Sequence, residues 1–586
     1  MAQPYIYTDF LRILPDWARE LAMKYGSKTA NLYILHGNIR DFLPHEEREG
    51  EFVFTLMQKY ISEVLFGNQD IIAFYDRSDG VSFCTDEMRS SYERAMRARY
   101  PEDSAGDFFS TDPEKSFFYL EKYFLSRISR DKAKRCRMVL IIDYAETIIP
   151  GGDLLRFSDA DRYCLVTLQR WANNPLFTEG DVSVILLTEN LADISPRLAA
   201  SPSTVKVNVP FPDEAVRARF LKSKAASEEG ILLERGLTPE GVAAVTSGLN
   251  LMNLERLCLE SREEDQALNL DYLRKKKKEM IENEAAGLLE FMDTVYSLDA
   301  VSGHAFVKKQ FRTAAKAIQK GQLEVLPMGY LIAGPVGTGK SFMVSAFAGE
   351  IGIPMVKFRN FRSKWQGVTE SNLEKALNIL KSMAPVAVMI DEADAFLGDR
   401  DQDGDSGVSN RVFAQIASFM GDTSYRGKII WFLITCRPDL IPIDLKRQGR
   451  AEEHYALFYP ETDQEKVDLF ETLVKKLKFG VHNFSILDLF RKFHLDVSGA
   501  EIEAMLIRAR QRAVMDGRTM ISREDMLEVM SDYIPPLYER EIRLQNLAAV
   551  LECTSRKMVP KKFQNIENVK ILAEIQELKT LLRERG

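Results

Sequence analysis

The run Gly334-Pro335-Val336-Gly337-Thr338-Gly339-Lys340-Ser341 spaces its glycines, lysine and serine as GxxxxGK[ST]. Glycines at these positions let backbone N–H groups point inward around phosphates with no Cβ in the way, and the partial positive charge at the start of the following helix adds to them. Lys340 would then reach the β and γ phosphates of ATP, and the Ser341 hydroxyl would ligate Mg²⁺. Downstream, VAVMIDEAD sets Asp391 and Glu392 at the end of an apolar run. Asp391 would hold Mg²⁺ directly or through water, and Glu392 would polarise the attacking water as general base. An acid pair behind a phosphate loop points to hydrolysis rather than binding alone.

Such groups need a strand to deliver the loop and a second strand to deliver the acids. GYLIAGPVGTGKS reads as strand, loop and helix start; APVAVMIDEAD and KIIWFLITCRPD read as buried parallel strands, short and continuously apolar. In an open parallel sheet, ligands sit at the carboxyl edge. The first half shows the same order more faintly. A helix-like Phe10–Tyr25 leads to a strand at Asn31–His36, then to the apolar runs Met138–Thr147 and Val182–Asn190. VNVPFPDEAVRARFLK parallels ALFYPETDQEKVDLFETL, and TSGLNLMNLERLCLES parallels VSGAEIEAMLIRARQRA. An internal duplication follows: two α/β modules in tandem, parallel sheets with flanking helices, each followed by a small helical lid. The expected plan is a first module over 1–270 with its lid from about 213, a helical linker over 271–298, a second core over 299–458, its lid over 459–535 and a C-terminal helical extension over 536–586.

Bulk properties narrow the function. A chain of 586 residues exceeds one hydrophobic core, and 45% hydrophobic with 28% charged residues describes an ordinary folded protein. No apolar run is long enough to span a membrane, and MAQPYIYTDFLRILPDW lacks the pattern of a signal peptide, so a cytoplasmic protein without membrane insertion is expected. The six cysteines are scattered, without a CxxC pair, which disfavours a disulfide framework or structural zinc. A net charge of -8 and a pI near 5.6 argue against nucleic acid as partner. The basic run Arg274–Lys278 reads as a solvated helix face. Near the end, Ile571, Ile575, Leu578 and Leu582 form one apolar stripe, which either packs on its own domain or contacts a neighbour in an assembly.

GPVGTGKS, VMIDEAD, TCRPD, DLKRQGR and VSGAEIE also occur in the order and spacing of a known module. Over about residues 295 to 535 the chain resembles the AAA-type ATPases of the AAA+ superfamily, in the branch that holds the proteasomal ATPases, katanin and the membrane-fusion ATPases. The resemblance implies tandem P-loop AAA+ modules and a ring, usually a hexamer, that acts on a protein substrate or assembly. It places Arg447 and Arg450 as arginines that reach the γ-phosphate bound by a neighbouring subunit, Gly499 and Ala500 at the start of a lid helix lying against the nucleotide, and SLDAVSGHAFVKKQF as the linker that packs near the adenine. In SKWQGVTES, Trp365 takes the position of the pore-loop aromatic that grips an unfolded substrate, and Asp399–Asp405 that of a second channel loop.

Two departures from that pattern matter. The third strand should end in Thr-Asn, whose amide orients the attacking water, but here reads Thr435-Cys436, and a thiol is a weak donor. Turnover is then slow, or Thr435 substitutes. The first module has LHGNIRDFL where a phosphate loop would be; Asp143 survives, but Tyr144 stands at the base position. That half is expected to be a degenerate AAA-like module that stabilises the ring or recruits substrate, with an unrelated α/β domain as the alternative. The leading function is an ATP-hydrolysing remodelling motor that works through a central pore. A slow nucleotide-switched assembly or scaffolding ATPase is the alternative, and a DNA helicase or loader is disfavoured by charge.

Overall fold

The computed structural model describes residues 11–48, 51–128, 136–152, 154–226, 230–285, 287–292, 296–320, 322–359, 370–397, 406–493, 498–534 and 538–583. The chain forms two compact units, one of Met1–Ala285 with Val368–Met383 and one of Ala286–Gly367 with Ala384–Gly586.

In the first unit the strands are β1 (Leu32–Gly37), β2 (Phe42–Arg48), β3 (Glu51–Leu56), β4 (Ile71–Asp76), β5 (Gly80–Phe83), β6 (Met138–Ile142), β7 (Val182–Thr188) and β8 (Thr204–Val209). They form a sheet in the order β5-β4-β6-β7-β1-β8, antiparallel only at β5, while β2 and β3 make a separate hairpin. β6 and β7 are buried at every position, as runs of Val, Ile and Leu with helices on both faces require. Leu32 and Ile34 join one core with Phe117 and Trp171, whereas Tyr33 and Leu35 join the other with Trp17 and Leu21, the period-two alternation of a strand. Helices Glu214–Ala226, Pro239–Val245, Leu251–Glu263 and Leu270–Glu284 follow.

The basic run lies on the last of these and is not wholly solvated. Lys276 pairs with Glu260, but Lys277 is buried, its Nζ donating to Val245 O at 3.0 Å and Ser247 Oγ at 3.1 Å. Burial pushes the Lys277 ammonium down to about 8. The unit also takes in the helix Glu370–Met383, whose Glu374 carboxylate accepts the N–H groups of Leu191 at 3.4 Å and Ala192 at 3.2 Å.

The second unit contains β9 (Leu289–Phe291), β10 (Gly329–Ala333), β11 (Met355–Phe358), β12 (Val386–Ile390), β13 (Ile429–Thr435) and β14 (Glu453–Ala456), ordered β14-β10-β13-β12-β11-β9 with β9 antiparallel. The two sheets match strand for strand: β8-β1-β7-β6-β4 corresponds to β14-β10-β13-β12-β11, and each carries its antiparallel strand at the same edge. One face is held by aromatic packing, with Phe311 stacked on Phe347 at 4.5 Å and Tyr330 on Phe432 at 5.1 Å. Four helices, Asp463–Leu477, Ile486–Phe493, Gly499–Met515 and Arg523–Ser531, enclose a core of their own around Phe470, Leu489, Met505 and Met526. In the C-terminal extension, Ile571, Ile575 and Leu578 bury against Leu544 and Leu547 with Leu582 beside them, so the terminal stripe packs within its own unit. Among the described residues no helix is long and apolar enough to cross a membrane.

Candidate functional site

β10 ends at Ala333, and the helix Lys340–Ile351 begins directly after the loop Gly334–Gly339. Gly334, Gly337 and Gly339 all have positive φ, +141°, +82° and +78°. A Cβ on Gly334 would lie 2.1 Å from Leu457 O, so only glycine can leave the strand here. Lys340 is buried under the loop, its Nζ donating to Gly334 O at 2.9 Å and Pro335 O at 2.8 Å and lying 3.2 Å from Cys436 Sγ. Thr338 Oγ1 donates to Pro335 O at 3.0 Å and tightens the same turn.

β12 and β13 bring the remaining groups to this edge. Ser341 Oγ donates to Asp391 Oδ2 at 3.1 Å. Glu392 sits at φ +50°, a left-handed conformation unusual for a side chain of its size, with its N–H on Asp391 Oδ1 at 3.1 Å. Thr435 Oγ1 donates to Asp394 Oδ1 at 2.6 Å and accepts the Arg437 N–H at 2.8 Å. Its hydroxyl is therefore committed, and Cys436 is the group facing Lys340. From the lid, Ser498 caps the helix Gly499–Met515 in a reciprocal box with Glu501, and Gly337 lies so close that a Cβ would meet Ser498 Oγ at 2.8 Å and Ala500 Cβ at 3.5 Å. Gly499 and Ala500 thus adjoin the loop.

Arg447 and Arg450 follow the short helix Ile443–Lys446; Arg447 is exposed, and Arg450 Nη1 donates to Asp444 O at 2.8 Å. Trp365 and the stretch Asp399–Asp405 lie outside the described residues. Sequence reasoning missed Lys357, on β11, whose Nζ lies 3.1 Å from Asp391 Oδ2. A lysine inside an otherwise apolar strand was the available signal. It also missed Tyr459, whose hydroxyl donates to Val336 O at 2.7 Å, and Gln545, whose Oε1 accepts the Val336 N–H at 3.1 Å. No local pattern marks either residue.

The first unit repeats the frame of this site with different contents. Gly37 ends β1 at φ +99°, and a Cβ there would lie 2.5 Å from Val209 O, the counterpart of Gly334 against Leu457. Tyr144 has φ +48° and puts its N–H on Asp143 Oδ1 at 2.7 Å, the backbone geometry of Asp391-Glu392. Between these landmarks Arg40 Nη1 donates to Asp143 Oδ2 at 2.8 Å, Gln58 Nε2 donates to the same oxygen at 2.7 Å, and the guanidinium lies 3.9 Å over the Tyr144 ring. Asp41, 1% exposed, accepts the N–H groups of Leu251 at 3.0 Å and Met252 at 2.9 Å at the start of the helix Leu251–Glu263. Side chains of the chain itself fill the crevice and cap the lid helix.

Three family models match separate stretches of the chain. Residues 4–210 match the N-terminal Rossmann-like domain of AAA+ chaperones, residues 215–286 their second helical domain, and residues 330–459 the AAA family, ATPases associated with various cellular activities. Among curated relatives, the AAA domain-containing protein ycf46 of Trieres chinensis is 30% identical over 36% of this chain and 42% of its own length. The cell division cycle protein 48 homolog of Archaeoglobus fulgidus is 24% identical over 67% of this chain and 56% of its own. The peroxisomal ATPase PEX6 of Arthrobotrys oligospora is 24% identical over 59% and 32%. The matched stretch is about half the length of the first two of these relatives. With tandem parallel sheets, a glycine loop over Lys340 in the second and a filled crevice in the first, the chain belongs to the AAA+ ATPases.

Proposed function

We propose that the second unit binds and hydrolyses ATP with Mg²⁺, and that the chain assembles into a ring, a hexamer by its resemblance, that remodels protein substrates through a central pore. The observation that carries the reading is the convergence of Lys340, Ser341 and Asp391 at one sheet edge, with Ser341 Oγ 3.1 Å from Asp391 Oδ2. A hydroxyl and a carboxylate side by side are the hard oxygen donors that suit Mg²⁺, so Ser341 and Asp391 would hold the ion, which when bound neutralises charge on the phosphates. Lys340 exchanges its loop carbonyls for the β and γ phosphate oxygens. Glu392 accepts a proton from the attacking water while Cys436, unable to donate as an amide does, orients that water weakly. Arg447 and Arg450 complete the site of a neighbouring subunit and stabilise the charge that builds during transfer. Gly499 and Ala500 lie against the nucleotide, and Trp365 grips substrate.

The first unit takes no part in hydrolysis, because Arg40 occupies the crevice and Tyr144 cannot serve as base. Its work is to stabilise the assembly or recruit substrate. The test is a threading assay on a folded reporter with Trp365→Ala. ATP binding should survive while unfolding of the reporter is lost. Tight ATP binding by the wild type with no unfolding of the reporter would favour a nucleotide-switched assembly factor, a reading that Cys436 beside Lys340 also supports.

A further inference from the structure

The hollow beside the phosphate loop is not enclosed by the ATPase core and lid alone. A cavity of about 580 Å³ opens next to Gly337–Gly339, with walls from His304 upstream, Tyr459 after β14 and Ala500 on the lid, and then from Met558, Val559 and Pro560, a turn of the C-terminal extension. That turn is anchored on both sides. Met558 is buried in the core around Phe311 and Tyr330, and Phe563 in the cluster with Leu547 and Ile571. The Lys561 N–H donates to the Glu461 carboxylate at 3.2 Å, and Thr554 Oγ1 to His454 O at 2.9 Å.

Ahead of the turn, the helix Glu539–Glu552 puts Ala549 against Ala333 and Ala456, the last residues of β10 and β14. From the same helix Gln545 accepts the N–H of Val336, an exposed residue of the loop, and Tyr459 donates to the carbonyl of that residue. Both backbone polar groups of Val336 are thus held from outside the loop, which fixes the planes of the two peptide units that flank this residue. A loop already ordered in its binding conformation loses less freedom on binding. An apolar wall with few polar groups is the usual lining for a flat heterocycle.

We propose that the C-terminal extension is part of the nucleotide site. Gln545, with Tyr459, is a positioning residue that holds the phosphate loop open for a triphosphate, and Met558–Pro560 is the wall against which the purine base and ribose lie. The proposal rests on the ATP-site reading above and assigns that site ligand contacts from a segment outside the core and lid.

Calorimetric titration of the full chain with ATP and with inorganic tripolyphosphate separates the two roles. Gln545→Ala should weaken both ligands about three- to tenfold, the value of one lost hydrogen bond. Val559→Ala should weaken ATP about three- to tenfold, as expected for the loss of two buried carbons, and leave tripolyphosphate unchanged. Gln545→Met and Val559→Thr, which keep side-chain volume, replace either variant if it melts early. Lys340→Ala serves as the control for the site itself. If it binds ATP as the wild type does, or if the wild type binds neither ligand, the ATP-site reading fails. If it abolishes binding while the Gln545 and Val559 variants retain wild-type affinity for both ligands, the C-terminal proposal is overturned and the site reading stands.

Discussion

Cys436 is the residue that sets this site apart. Its Sγ lies 3.2 Å from Lys340 Nζ, where the family pattern has an asparagine able to donate to water, and Thr435 is tied to Asp394 and cannot take over. Cys436→Asn should therefore raise kcat several-fold, about 1 kcal/mol of barrier for one restored hydrogen bond, with little change in KM; steady-state kinetics at saturating ATP checks this. His304, on the cavity wall, supplies a second expectation. Burial pushes its imidazole down to about 4, against roughly 6.5 when free. Between those values the unfolded chain takes up a proton that the folded unit refuses, so stability falls as pH drops from about 6.5 toward 4. Denaturant midpoints of the second unit measured from pH 7 to 5 should show that slope, and His304→Asn should flatten it.

At the scale of elements, what was legible in the sequence is what burial alone determines. MVLII and VSVILLT read as buried strands because they are short and almost wholly apolar, and both are fully buried. GPVGTGKS was legible because its glycines answer a local need, positive φ and a close carbonyl. Tertiary partners were not, since periodicity reports that a face is covered and not by what. Lys277 sits in a charge run yet spends its ammonium on Val245 O, and Glu374, in the sequence of the second half, packs in the first unit. Arg40 and Asp41 lie in the LHGNIRDFL that stands in place of a phosphate loop, and there they plug the crevice and cap the lid helix. Asp41→Ala should cost about 1–2 kcal/mol, a typical cap loss, and should speed amide exchange at Leu251 and Met252 with or without nucleotide. Asp41→Asn, which keeps an acceptor and removes a carboxylate that burial pushes above its usual range, should cost less. Exchange that slows on adding ATP in a Lys340→Ala background would instead mean that the first unit binds nucleotide.

Across the whole molecule, the unit proposed to hydrolyse ATP is joined to one that keeps the same sheet but has neither the phosphate-loop lysine nor the base. Matching strand order, Gly37 against Gly334 and Tyr144 against Glu392 support a duplication after which one copy was sealed by its own side chains. A unit whose lid helix is held by its own Asp41 is suited to be a constant part of the proposed ring. The exposed Arg447 can act only on another copy if the site is shared. ATP hydrolysis per chain measured against protein concentration, with mass in solution followed alongside and with Glu392→Gln and Arg447→Ala in parallel, tests this most directly. Turnover should rise as the chain assembles and disappear in both variants while ATP binding persists. Turnover that is independent of concentration and survives Arg447→Ala would contradict it.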